Sequence, residues 1–241
     1  MPRERHLDWD GCFNVRDLGG LPAAGGRRTR WGALVRADTL SGLSAAGWQA
    51  LLEHGVRTVV DLRNDEERAE DRAPRPAEIE TVHAPLDGRD DRAFWAAIEQ
   101  RLEFGTPLYY RAHLLRKPQL SAAAVAAVAR AVPGGVAFHC VGGRDRSGQL
   151  AMLLLALAGV PAEEIGADYE LTRARLAVLF AQLGQEDQGE ELAAYLADRG
   201  TTGAGAIVAT LSSLDVEQTL KGGGLTDEDL AALRERMLEA G

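Results

Sequence analysis

The chain has 241 residues, a formal net charge of −9 and a mean hydropathy of −0.17. That length can bury one substantial α/β core, so one domain over 1–241 is expected, with helical insertions at about 90–132 and 161–200. The acidic balance argues against a nucleic-acid partner or an anionic membrane surface, both of which need a basic face, and no apolar run reaches the length of a membrane-spanning segment.

Trp31–Arg36 alternates as a strand and leads to a turn at Ala37-Asp38-Thr39. Ser44 then caps a helix over Ala45–Glu53 that closes near Gly55. Val56–Leu62 reads as a buried strand from its β-branched content, Ile79–His83 as a third strand and Val136–His139 as a fourth. Helical spacing marks Ala93–Phe104 and Gln119–Val132, with Pro107 and Pro118 as punctuation. Pro161 opens a helix running to about Leu183, and Asp187–Asp198 is an acidic amphipathic helix. Gly222-Gly223-Gly224 reads as a hinge before a capped terminal helix, Asp227–Glu239. Strands separated by helices imply an α/β sheet whose ligand lies at the carboxyl ends of the strands.

The most specific stretch is His139-Cys140-Val141-Gly142-Gly143-Arg144-Asp145-Arg146-Ser147-Gly148, between the apolar runs Gly135–Phe138 and Leu150–Leu155. Its setting is strand, tight glycine-rich loop, helix start. Successive N–H groups in such a loop, backed by a helix N-terminus, form a cradle for a phosphate dianion. A thiol in that positive potential is favoured as thiolate and can attack phosphorus. Cys140 is therefore the candidate nucleophile. Arg146 would grip two phosphate oxygens bidentately, a task left to arginine because Lys117 and Lys221 are the chain's two lysines. Val141, Gly142, Gly143, Arg144 and Asp145 complete the cradle; Gly142, Gly143 and Gly148 supply positive φ and close approach. The chemistry implied is hydrolysis of phosphate monoesters through a phosphocysteine, with no metal and no cofactor.

These residues resemble the His-Cys-x5-Arg-Ser/Thr signature of the protein tyrosine phosphatases. Phe13-Asn14-Val15-Arg16-Asp17-Leu18-Gly19-Gly20 and the in-loop Asp145 narrow the resemblance to the bacterial and fungal tyrosine/serine phosphatases. The similarity is strong at 13–20, 56–68 and 139–148. It implies a protein tyrosine phosphatase-like central sheet flanked by helices. It also implies a phosphorylated protein as substrate, phosphotyrosine first, with phosphoserine/threonine or a phosphoinositide as alternatives. Related mycobacterial enzymes use inserted helices as a lid; the insertions here either do the same or thicken the helical layer. Arg144 departs from the lysine usual in the family loop, which puts the phosphoinositide inference in doubt.

The leaving oxygen requires a proton. No Trp-Pro-Asp loop is present, and the candidate acids are Asp145, then Asp87, then Asp61, each alternatively an ion-pair partner of an arginine. Ser147 either stabilises the Cys140 thiolate or is an ordinary helix-start residue, and His139 is either a loop-ordering imidazole or a packed strand-end histidine. Arg16 and Asp17 read as clamps holding the loop, and the four tryptophans as core. Cys12 reads as a small half-buried residue, with redox protection of Cys140 as the alternative. Two cysteines make neither a disulfide framework nor a metal site. The charged start Met1–His6 lacks an apolar run, which places the protein in the cytoplasm with signal-less export left open. A catalytically silent phosphate-binding module is the rival reading. Oligomeric state is not legible.

Overall fold

The computed structural model describes residues 3–71 and 73–240; the ends of the expected domain, 1, 2 and 241, and residue 72 lie outside. A five-stranded sheet is built from β1 (Arg16–Asp17), β2 (Leu34–Ala37), β3 (Val56–Asp61), β4 (Glu80–His83) and β5 (Gly135–His139). The spatial order is β1-β2-β5-β3-β4, with β1 antiparallel to β2 and the other pairs parallel. All five residues of β5 are buried, as expected for a central parallel strand covered on both faces.

The two-residue repeat of the strands sorts side chains between two cores. Val35, Val56, Val59 and Ala137 pack with Trp9 and with Trp48 and Leu51 of α1 (Ala45–Glu53). Leu34, Val60, Val136 and Phe138 face the larger core on the opposite side. That core is supplied by α3 (Arg92–Gln100), α4 (Tyr110–Arg116), α5 (Pro118–Ala129), α6 (Arg146–Leu157) and α11 (Asp227–Met237), together with Ile165, Tyr169, Ile207 and Leu220 from the helices between α6 and α11; α2 (Asp65–Ala69) has no buried residue. The remaining helices are α7 (Ala162–Leu183), α8 (Gly189–Ala197), α9 (Gly203–Ser212) and α10 (Val216–Gly222). No helix of the described residues is long and apolar enough to cross a membrane.

The expected strands are present, shifted by up to three residues at their ends, while β1, α2, α4, α9 and α10 went unread in the sequence. α3 stops at Gln100 because Leu102 takes a positive φ of 55°. The glycine triplet is not a hinge. Gly222 ends α10, and a Cβ on Gly223 would lie 2.4 Å from the Pro118 carbonyl oxygen, so the segment is a close-packed crossing over the start of α5. Register then positions the site. Ala37, His139 and Asp61 align across β2, β5 and β3, so the loops after these strands share one rim.

Candidate active site

The loop after β5 runs from the buried Cys140 to Arg146, the first residue of α6. Its carbonyls are tied back one after another. Val141 O accepts from Thr39 N (2.8 Å), Gly142 O from Asn14 Nδ2 (3.0 Å), and Gly143 O from Arg36 Nε (3.0 Å). Arg144 O accepts from Arg36 Nη2 (3.0 Å) and Asp145 O from the Tyr110 hydroxyl (2.8 Å). With the carbonyls held outward, no acceptor among the described residues takes the N–H groups of Val141 to Asp145. Unpaired amides in a tight loop beside a helix start are what an oxyanion requires. Gly143 is doubly required: its φ is +68°, and a Cβ would lie 2.8 Å from Ala37 O and Asp38 N. Gly142 and Gly148 serve differently from expectation, neither adopting positive φ: a Cβ on Gly142 would meet only Leu176 Cδ2 at 3.5 Å, and Gly148 sits within α6 and leaves room for Tyr110, Arg36 and Tyr169.

The donors behind the loop are themselves organised by one carboxylate. Asp168, fully buried on α7, accepts from Arg5 (2.8 Å), from Arg16 Nε and Nη2 (3.0 and 2.9 Å) and from Arg36 (3.5 Å). Burial opposes its charge, but the arginines outweigh it and hold the carboxyl below the usual carboxylate range. Arg16 also donates to Asn14 Oδ1 (3.2 Å), which turns the Asn14 amide toward Gly142. Burial and the neighbouring Arg16 lower Arg36 to about 10. Thus Arg16 clamps the loop through Asn14. Asp17 does not touch the loop: it accepts from Gly19 N, Gly32 N and His54 Nε2 and so secures the β1–β2 connection.

The front of the site is a cleft of about 630 Å³ lined by Cys140, Arg144, Asp145, Arg146, Glu67 and Asp87, with Phe13, Phe104 and Tyr109 among its apolar walls. Arg146 is held by Glu67 in a two-point ion pair (2.5 and 2.8 Å) and lies 3.5 Å from Asp87. Burial works against the Glu67 charge, yet the Arg146 hydrogen bonds prevail and lower its carboxyl below the ordinary value. Asp145 accepts from Arg144 Nε at Oδ2 (3.2 Å), while its buried Oδ1 has no partner. Asp87 accepts from Asn64 (3.0 Å) and Arg89 (3.4 Å), and its carbonyl is gripped by Trp95 Nε1 (3.2 Å) and Lys117 Nζ (3.0 Å).

Other candidates sit apart from the cleft wall. Asp61 accepts from Arg63 through both oxygens (2.9 and 2.8 Å), within a cluster that includes Asp71 and Arg75. Burial opposes its ionisation, but the Arg63 hydrogen bonds and His139 leave the carboxyl lowered. His139 is wholly buried, 3.7 Å from Asp61, with Nδ1 3.1 Å from Cys140 O; burial lowers it to about 4, so it is neutral at pH 7. The Ser147 hydroxyl donates to Ala37 O (3.3 Å), an anchor of α6 to β2. Cys12 donates to Asp38 (2.6 Å), and burial with the Asp38 charge pushes its thiol well up, a structural thiol rather than a reactive one. Among the described residues no group of three or more His, Cys, Asp or Glu could hold a metal ion.

Several residues of this site went unassigned in the sequence. Glu67 was legible as the third helical position of an Asn64-x-x-Glu67 capping box, which the structure contains. Arg36 interrupts an apolar strand, a signal of a buried role. Asp168 and Tyr110 carry no sequence signal, since each meets the loop only through the fold.

A sequence model of the tyrosine phosphatase family matches residues 7–239. A Cupriavidus necator protein assigned by name to the tyrosine-protein phosphatases is 37% identical over 172 residues, covering 68% of this chain and 62% of that relative's length. A tyrosine-protein phosphatase of Nostoc commune is 29% identical over 228 residues, 87% of this chain and 75% of the relative. Crystal structures of Pseudomonas aeruginosa TpbA, one in complex with pTyr, align over 81% of this chain and 88–89% of theirs. Their TM-scores are 0.38 and 0.36 at 16% and 19% identity, so the assignment rests on the sequence matches. With its cysteine-to-arginine loop cradled at the end of the central strand, the chain belongs to the tyrosine phosphatase family.

Proposed function

We propose that this chain hydrolyses phosphate monoesters by way of a phosphocysteine, with protein phosphotyrosine as the first substrate class and phosphoserine/threonine as a second. The observation that carries the reading is the ring of unpartnered N–H groups from Val141 to Asp145 around Cys140, behind which every carbonyl is tied back. Phosphate oxygens take those amides and the Arg146 guanidinium. The Cys140 thiolate attacks phosphorus in line as the P–O bond to the leaving group breaks. A carboxylic acid protonates the departing oxygen, and water then attacks the phosphocysteine, losing its proton to the same carboxylate as sulfur leaves.

Asp145 is the acid in this reading. It lies in the cradle with one carboxylate oxygen buried and unpartnered, whereas the Asp87 carboxylate is engaged by Asn64 and Arg89 and neighbours Arg146. Glu67 holds Arg146 in a plane for bidentate contact with phosphate. The aromatic walls of the cleft favour an aryl ester over a small alkyl one. A reducing compartment such as the cytoplasm suits a free nucleophilic thiol.

Release of p-nitrophenol from p-nitrophenyl phosphate in EDTA, wild type beside Cys140→Ser, tests the mechanism. Turnover should survive the chelator and fall by about 10⁴-fold or more in the variant. Equal turnover in both proteins would remove the phosphocysteine from the scheme, and a folded, reduced wild type without turnover would favour a phosphate-binding module.

A further inference from the structure

Arg144 and Leu176 line a second cavity beside the catalytic cleft. It holds about 360 Å³ and is enclosed by α7, α8 and the start of α9. That volume lies in the range of small-molecule sites. Its walls are mainly apolar, with Tyr169, Leu192 and Leu196 prominent. The guanidinium of Arg144 is pressed under Gly105 beside Leu192. A Cβ on Gly105, whose φ is +85°, would lie 2.8 Å from Arg144 Nη2 and 3.3 Å from Leu192 Cδ1. Arg144 donates from Nε to Asp145 (3.2 Å), and among the described residues its terminal N–H groups reach no protein acceptor. The side chain is 17% exposed, so these donors are left to water or to a ligand in the cavity.

The acidic groups of the cavity are already engaged. Glu170 accepts from Ala204 N at the start of α9 (2.7 Å), and Asp187 accepts from Gly189 N at the start of α8 (2.9 Å). The exposed Arg173 adds a second cation to the lining. The formal charges of the lining balance, Arg144 and Arg173 against Glu170 and Asp187, and the donors without a protein acceptor are the terminal N–H groups of Arg144, next to an apolar wall.

We propose that this cavity is a binding site for an amphiphilic monoanion: a compact apolar or aromatic body seated against Leu192, Leu196 and Tyr169, and a carboxylate paired with Arg144. A planar carboxylate matches the guanidinium fork in two points. The site communicates with the catalytic loop because Arg144 belongs to both: its side chain lines the cavity while its carbonyl is anchored by Arg36. A ligand anion there neutralises positive potential at the cradle and weakens phosphate binding, with coupling about fivefold. The site goes beyond the proposed hydrolysis, since it requires only that the loop bind phosphate.

The test is calorimetric titration of the full chain with 1-naphthoate, in buffer and in saturating inorganic phosphate, with the neutral 1-naphthamide as comparator. Ala193→Trp fills the cavity from α8 outside the catalytic loop, and Ala197→Trp serves in its place if the first variant does not melt cooperatively. The proposal expects naphthoate to bind with phosphate present, naphthamide at least tenfold more weakly, and binding to vanish in the tryptophan variant while p-nitrophenyl phosphate turnover stays. It also expects naphthoate to raise the apparent KM to a plateau. A KM that climbs without limit, with binding abolished by phosphate and untouched by the tryptophan, would place the anion in the catalytic cradle and overturn the proposal. Equal affinity for naphthamide would remove Arg144 from it, and no binding at millimolar naphthoate would end it. Turnover without naphthoate is read separately, so failure of the hydrolytic reading is distinguishable.

Discussion

The two sides of the loop after β5 follow opposite rules. Behind it, Asn14, Arg36, Thr39 and Tyr110 hold the carbonyls, and Asp168 gathers the arginines that do much of this work. In front of it, the amides of Val141 to Asp145 have no protein partner. The back is satisfied by the protein's own groups. The front is left unsatisfied, and that deficit is where the binding energy of an anion originates. A loop with polar groups free on both faces would collapse onto itself; this one cannot, because its backbone orientation is set from behind.

Breaking the back should cost stability first. Asp168→Ala strands Arg16 and Arg36 in the interior and is expected to lose about 3–5 kcal/mol, read as a lower urea midpoint. A loss below 1 kcal/mol would mean that the arginines do not depend on this carboxylate. Breaking the front should cost rate and leave stability alone. Asp145→Asn is expected to slow aryl phosphate turnover by about 10²–10³-fold with an unchanged thermal midpoint. If Asp87→Asn produces that loss and Asp145→Asn does not, the acid is Asp87.

Acidity separates the two sides further. His139 beneath the loop and His113 among the aromatic residues of α3 and α4 are both lowered to about 4 by burial. The unfolded chain, titrating near 6.5, then binds more protons than the folded one as pH falls from 6.5 toward 4. Stability is full above 6.5 and declines through that window, on the order of 2 kcal/mol for each imidazole by pH 5. The depressed Asp168 acts in the same direction below about pH 4. Urea midpoints at pH 7.5 and 5 check this; identical midpoints would show that neither imidazole is held neutral. The mildest probe joins the two sides. Asn14→Ala frees the Gly142 carbonyl and takes one acceptor from the buried Arg16, and about 1–2 kcal/mol of stability should go together with a raised KM for p-nitrophenyl phosphate. A lower stability with an unchanged KM would show that this carbonyl does not orient the cradle.

Much of the front was legible because it is local. Cys140 to Arg146 lie within one short loop, and strand and helix periodicity on either side place them. Glu67 could have been read from its capping box. The expected hinge at Gly222–Gly224 failed for an instructive reason: glycine marks both freedom and close approach, and only the crossing of α10 over Pro118 says which applies. Likewise Gly148 makes room for the Tyr110 and Arg36 side chains.

By itself the sequence determined the α/β alternation, the cysteine-to-arginine loop and its position at a strand's carboxyl end, since these depend on periodicity and on spacings of a few residues. Tertiary structure alone decided what holds the loop. Asp168 meets Arg16 across 152 positions, and Tyr110 meets Asp145 across 35. It also separated three aspartates of similar sequence setting into an arginine-bound Asp61, an Asp87 beside Arg146 and an Asp145 with a free oxygen. A carboxylate's role is set by which charges and donors surround it in space, and burial multiplies their effect.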